Sequence, residues 1–323
     1  MRNLEPSLPE PLCEADVAAG VQLLAPREVP LGGPRALTVR RTLPHKQRSL
    51  IGAWCFLDHY GPDPVDGPGA MDVPPHPHTG LQTVSWLFDG EIHHADSVGS
   101  DLMVRPGQVN LMTAGSGIQH FEVSTAAATS LHGVQLWAAL PNASREVAPF
   151  FEHHRPETIS VGAAQLQVFI GSLFGSSSAV TSFTPLLGAQ LDLPPGASVV
   201  LPADPAFEYG LLVDSGSAEV RGRQIEKHHL GYVPVGQSEL VIRAGDEALR
   251  AILFGGTPLG ESIVMWWNFV GRSHDEIVAY REQWQTEVID RTDRTGRFGS
   301  LDGHPFGALP APMLPGVRLR PRD

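Results

Sequence analysis

Short apolar runs, punctuated by glycine, proline and Asp-Gly turns, follow one another along most of the chain. That pattern predicts many strands joined by tight turns rather than helices. Residues 81–88 (LQTVSWLF) end at Asp89-Gly90, a strong hairpin signal. Residues 101–105 read as a strand closed by Pro106-Gly107, and 109–112 as the next. The AGSG stretch at 114–117 makes a tight loop before His120, and 134–140 (VQLWAAL) is a buried strand closed by Pro141-Asn142. A second series of runs, at 166–170, 189–193, 198–201, 210–213, 218–221, 230–233, 240–243 and 249–254, has the spacing of a sandwich or barrel. The expected class is therefore all-β, with two β-barrel units. One helix is predicted over 273–287: Ser273 caps it, Glu276 holds the capping-box position, and Ile277, Tyr280, Trp284 and Val288 recur near helical spacing.

This reading divides the chain into an extension over 1–33, a first unit over 34–145, a polar linker over 146–164, a second unit with the helix over 165–290, and a coil-like tail over 291–323. The length of 323 residues agrees with two domains. Net charge is −12 with no Lys/Arg cluster, which argues against direct nucleic-acid binding. Nothing frames a disulfide between Cys13 and Cys55, so both are read as reduced thiols. The first 20 residues lack the apolar core of a signal peptide, and no run approaches the roughly 20 apolar residues that cross a membrane. The expectation is a cytoplasmic protein, monomeric or weakly dimeric.

Two short stretches carry the chemistry. HPHTG at 76–80 and HFE at 120–122 each hold two metal-competent side chains at spacing i, i+2. On a strand that spacing puts both on one face. Two such strands side by side inside a barrel aim His76, His78, His120 and Glu122 at one point, a donor set for Fe, Mn, Co, Ni, Cu or Zn. A single H-x-H is a weak signal, because histidine pairs also line turns; the second pair is what strengthens it. Pro77 cannot donate to a ladder, so its segment is expected at a strand start or sheet edge. Phe121 is expected to point away from the site, into packing. Asp58-His59 is a candidate to hydrogen-bond a ligand histidine. His94 and Asp96 are read as holding a turn; Trp266-Trp267 is a candidate to stack on a ligand, although aromatics in such a run more often belong to the core. His228-His229 has no partner pair, and the second unit is expected to bind no metal.

Four blocks resemble the pirin family of the cupin superfamily: FLDHYGP at 56–62, HPHTGLQTV at 76–84, HADS at 94–97 and MTAGSGIQHFE at 112–122. GGTPLGE at 255–261 and WWNFVGRS at 266–273 are similar to the family's C-terminal half. The resemblance spans roughly residues 36–285. It implies a bicupin of two jelly-roll barrels with one metal ion in the N-terminal barrel, held by His76, His78, His120 and Glu122, with iron the first choice. Cupins often carry a glutamate four residues after H-x-H; here that position is Gln82, which is expected near the site rather than as a ligand.

Two functions follow from the resemblance. One is quercetin 2,3-dioxygenase activity, in which O₂ cleaves a flavonol with loss of carbon monoxide and Glu122 serves as the base. The other is a metal- or redox-sensing regulator that binds a transcription factor or a metabolic enzyme. A cavity wide enough for a three-ring flavonol discriminates between them.

Overall fold

The computed structural model describes residues 20–31, 37–65 and 71–322; Cys13 and the rest of 1–19 lie outside the described residues. Each half of the chain pairs a seven-stranded sheet with a four-stranded one. In the first unit the larger sheet runs, in spatial order, Phe150–His154, Val109–Thr113, Leu81–Asp89, Ser130–Ala139, Trp54–Pro64, Leu37–Leu43, Arg27–Leu31. Its smaller sheet runs Asp72–His78, Ile118–Ser124, Ile92–Asp96, Asp101–Val104. The second unit repeats the plan, with Gln22–Leu24, Leu230–Val233, Glu208–Ser215, Leu249–Gly256, Leu186–Leu193, Ala164–Ile170 and Thr158–Val161 opposite Ser198–Pro202, Glu239–Ala244, Ala218–Val220 and Arg223–Ile225. This is the expected all-β bicupin of two jelly rolls, with one α-helix among the described residues.

Two segments read as extension and linker contribute strands. Gln22–Leu24 pairs with Leu230–Val233 of the second unit, and Arg27–Leu31 with Leu37–Leu43 of the first. Within 146–164, Phe150–His154 pairs with Val109–Thr113 and Thr158–Val161 with Ala164–Ile170. Three of these four (all but Gln22–Leu24) bury little of their length, so their apolar pattern is weak and the sequence reads as polar coil. All four are edge strands, and an edge strand needs only one partner.

Strand parity explains how one sheet serves two cores. In Ser130–Ala139, Val134, Leu136 and Ala138 face the second unit, whereas Gln135 and Trp137 face the interior of the first. Val84 and Trp86 of Leu81–Asp89 join the same inter-unit cluster with Phe169, Leu212, Ile252 and Phe254, while Ser85 points inward to Glu122. The larger sheets thus pack face to face. Trp54 Nε1 donates to the Gly255 carbonyl at 3.0 Å and its ring meets Phe254 edge-on at 6.1 Å. Phe254→Ala would open a cavity at this fully buried junction; a loss of about 3–5 kcal/mol is expected in urea unfolding, and a loss under 1 kcal/mol would contradict the inter-unit core.

Helix α1, His274–Trp284, starts as predicted: Ser273 Oγ accepts the Glu276 N–H at 3.2 Å. The Glu276 carboxylate accepts from Arg272 N and from Arg145. A π-helical turn, Gln285–Ile289, ends it. Ile277, Tyr280 and Trp284 pack on Phe269 and Phe298, which fixes the 264–271 hairpin over the first unit. The tail beyond follows as coil, with the Leu309 N–H donating to the Pro75 carbonyl and Gln119 Nε2 donating to Phe298 and Gly299 carbonyls.

Candidate metal centre

Three neighbouring strands of the small sheet each place an i, i+2 pair on one face. Asp72–His78 carries His76 and His78, Ile118–Ser124 carries His120 and Glu122, and Ile92–Asp96 carries His94 and Asp96. The ladder sets His120 directly opposite His76 on one side and Asp96 on the other, with Glu122 opposite His94. A register shift between His120 and Glu122 breaks the pairing with Asp72–His78. Asp72–His78 is the sheet edge, where Pro77 leaves no donor unpaired. At the turn that follows, Gly80 has φ +68, and a Cβ there would meet the Val270 carbonyl oxygen at 2.3 Å.

The imidazoles converge. Ring centroids of His120 lie 4.3 Å from His76 and 5.0 Å from His78, and ligand atoms of all three lie within 4.8 Å of one another. Glu122 forms a second cluster with His94 and His120, so His120 belongs to both. All of these side chains are buried. His76 Nδ1 faces the Pro74 carbonyl at 2.9 Å and His78 Nδ1 the Asn268 carbonyl at 3.1 Å. A carbonyl only accepts, so each Nδ1 carries the proton and each Nε2 keeps its lone pair.

For His120 the same result comes through a chain. Asp96 Oδ2 is 3.2 Å from His94 Nε2, which therefore donates; His94 Nδ1 then accepts from His120 Nδ1 at 3.4 Å. His120 Nε2 is left as a lone pair, buried and with no hydrogen-bond partner among the described residues. Burial lowers the pKa of His76 to about 4 and those of His78 and His120 well below the usual histidine value, so all three are neutral near pH 7. Glu122 Oε2 accepts from Gln135 Nε2 at 2.8 Å and its Oε1 from Ser85 Oγ at 3.3 Å. Three neutral imidazoles with an orphaned lone pair among them, beside an oriented carboxylate, fit a divalent transition metal.

His76, His78 and Glu122 open onto a cavity of about 510 Å³. Its walls are Phe56, Trp137, Met265, Trp266 and Trp267, with Arg41 and Arg322 also lining it. Trp266 and Trp267 are half-buried on the 264–271 hairpin; they pack against the Phe269–Trp284 cluster and also line this space, where they are placed to stack on a ligand. Leu309 and Pro310 of the tail form part of the wall.

Several neighbours differ from expectation. Asp58 is held by Arg41 at 2.6 and 2.7 Å, and His59 points the other way to Asp214, so neither supports a ligand histidine. Adjacent strand residues face opposite sides, so the pair could not act together. Gln82 donates to Thr113 Oγ1 and the Thr181 carbonyl. His94 and Asp96 do hold a turn, since Asp96 Oδ1 accepts from Val98 and Ser100 N–H groups, yet they also orient His120. The signal was present: HAD at 94–96 has the same i, i+2 spacing as the other two pairs. Asp96→Asn, which can present an amide donor to His94 and reverse its tautomer, is expected to weaken metal binding about 10- to 100-fold in chelator competition. Unchanged affinity would remove this chain from the account.

Comparison with known proteins agrees with this architecture. The Pirin family model matches residues 36–138 and the Pirin C-terminal cupin domain model matches residues 188–290. A Pseudomonas aeruginosa protein that bears quercetin 2,3-dioxygenase as a provisional name is 41% identical over 91% of this chain and 91% of its own length. A pirin-like protein of Caulobacter vibrioides is 37% identical over 76% of this chain and 88% of its own. The crystal structure of a quercetin 2,3-dioxygenase from Acinetobacter baumannii superposes with a TM-score of 0.85 at 37% identity, covering 93% of this chain and 97% of that one.

Proposed function

The chain belongs to the pirin family, and from that premise we propose that it is a metal-dependent dioxygenase that opens the ring of a flavonol, with quercetin 2,3-dioxygenase-type chemistry. The observation that carries this reading is the cavity. A volume of about 510 Å³ with aromatic walls, reaching His76, His78 and Glu122, matches the size and lining of small-molecule sites. A metal-sensing regulator needs no such space.

The ligands proposed are His76, His78, His120 and Glu122, with iron as the first choice. A divalent metal bound there supplies an electrophilic, redox-active centre for the flavonol and O₂. The protein's own part is positioning and proton transfer. Phe56, Trp137, Trp266 and Trp267 offer flat apolar surface to a planar polycyclic substrate and keep water from its reacting face. Glu122 faces the cavity as the group that takes the proton of the 3-hydroxyl, and Gln135 and Ser85 hold its two oxygens in place. Arg322 brings positive charge to a substrate that becomes an anion, while Arg41 lines the same wall paired with Asp58.

The test is turnover of quercetin by protein loaded in turn with Fe, Mn, Co, Ni and Cu. The expected result is one carbon monoxide released and one O₂ consumed per flavonol cleaved with at least one metal. No carbon monoxide with any of them removes the flavonol assignment and leaves the regulatory reading, which a metal-dependent pull-down then tests.

A further inference from the structure

A second cluster of metal-competent groups lies on the opposite side of the first unit's large sheet, where it meets the second unit. His59 Nε2 and His132 Nε2 stand 2.8 and 2.6 Å from the same oxygen, Asp214 Oδ1, and 3.4 Å from each other. His59 and His132 come from neighbouring strands, Trp54–Pro64 and Ser130–Ala139; Asp214 comes from Glu208–Ser215 of the other unit. Register shifts fall at two of the three positions, between His132 and Gly133 and between Val213 and Ser215. Bulges of this kind re-aim side chains, and here they turn His132 and Asp214 toward a common point.

We propose that His59, His132 and Asp214 form a second metal site, which takes one divalent cation of the imidazole-preferring class (Zn, Ni or Cu) and clamps the two units together. Two imidazoles and one carboxylate are a donor set such ions accept. Donors about 2.0–2.2 Å from a tetrahedral ion stand about 3.3–3.6 Å apart. The observed separations of 2.6–3.4 Å need an outward shift of less than about 1 Å to reach that spacing. In the hydrogen-bonded triad each Nε2–H donates to Asp214 Oδ1; an ion bound there takes the two Nε2 lone pairs, and each neutral imidazole carries its proton on Nδ1 instead.

Burial supports a built site. The His59 side chain is fully buried, Asp214 is 2% exposed, and His132, 13% exposed, gives the route in. His59 Nδ1 and Asp214 Oδ2 are buried without a hydrogen bond among the described residues, so Oδ2 remains available as a further ligand oxygen. The His228 ring lies 5.2 Å from that of His59 and can approach as a fourth donor. Arg250 Nη1 lies 3.8 Å from Asp214 Oδ2, and Arg40 adds positive charge nearby. That charge makes the site weaker than the first centre and unfavourable for Mg or Ca, which depend on carboxylate charge.

The experiment is calorimetric titration of chelator-stripped full-length protein with Zn(II), in a His76→Ala/His120→Ala background that lacks the first centre. The background protein is expected to take up one zinc and to gain thermal stability with rising zinc, since an ion that binds only the folded state stabilises it. Adding His132→Ala or Asp214→Asn should remove both the uptake and the stabilisation. His132→Gln, at the partly exposed position, serves as the variant that keeps the fold, checked by near-UV circular dichroism. No zinc uptake by the background protein, or uptake that survives both His132→Ala and Asp214→Asn, overturns the proposal. The difference between wild type and background reads the first centre separately.

Discussion

His120→Ala is expected to strip the tightly bound metal from the protein and abolish flavonol cleavage. His120 lies 4.3 Å from His76 and 5.0 Å from His78, ring centre to ring centre, and is the member shared with the Glu122 cluster. Its Nδ1 is engaged by His94, and its Nε2 lone pair is buried with no hydrogen-bond partner among the described residues. Without it both three-residue clusters lose a member, which leaves His76 with His78 and Glu122 with His94. The loss of affinity should exceed the 10- to 100-fold expected for removing an orienting partner such as Asp96. Elemental analysis after dialysis against a chelator, with circular dichroism as the folding control, checks it. Wild-type metal content in a folded His120→Ala protein would refute the ligand assignment.

The second large effect is Glu122→Gln. Glutamine keeps the volume, one acceptor oxygen toward Gln135 or Ser85, and a ligating oxygen, but it cannot take a proton at working pH. A lost general base typically costs about 100- to 10,000-fold. A fall in turnover of that size, with most of the metal retained, is the expected result. Turnover like that of wild type would remove the proton role from Glu122. Loss of metal in parallel with activity would make Glu122 a ligand only.

How much of this was legible depends on whether the information was local. The pairs His76/His78 and His120/Glu122 could be read from strand parity alone, and Pro77 placed its strand at an edge, where it lies. His94/Asp96 has the same parity, but its turn-holding role, also real, explained the residues without a site. Asp58-His59 misled because neighbours on a strand face opposite ways, one to Arg41 and one to Asp214. Trp266-Trp267 reads more readily as core than as a stacking surface, because composition cannot distinguish a buried wall from a cavity wall. The 1–33 and 146–164 segments concealed edge strands whose exposure weakens their apolar pattern. His59, His132 and Asp214 are brought together only by the packing of one unit on the other, so no spacing in the sequence announces them.

A single face of the small sheet in the first unit is expected to hold the metal. Anomalous diffraction at the absorption edge of the bound ion, from crystals of protein dialysed to retain only tightly held metal, tests it most directly. The account predicts a peak about 2.0–2.2 Å from the Nε2 atoms of His76, His78 and His120 and from a Glu122 oxygen. A crystal whose tightly held metal lies elsewhere, with these four side chains uncoordinated, would contradict it.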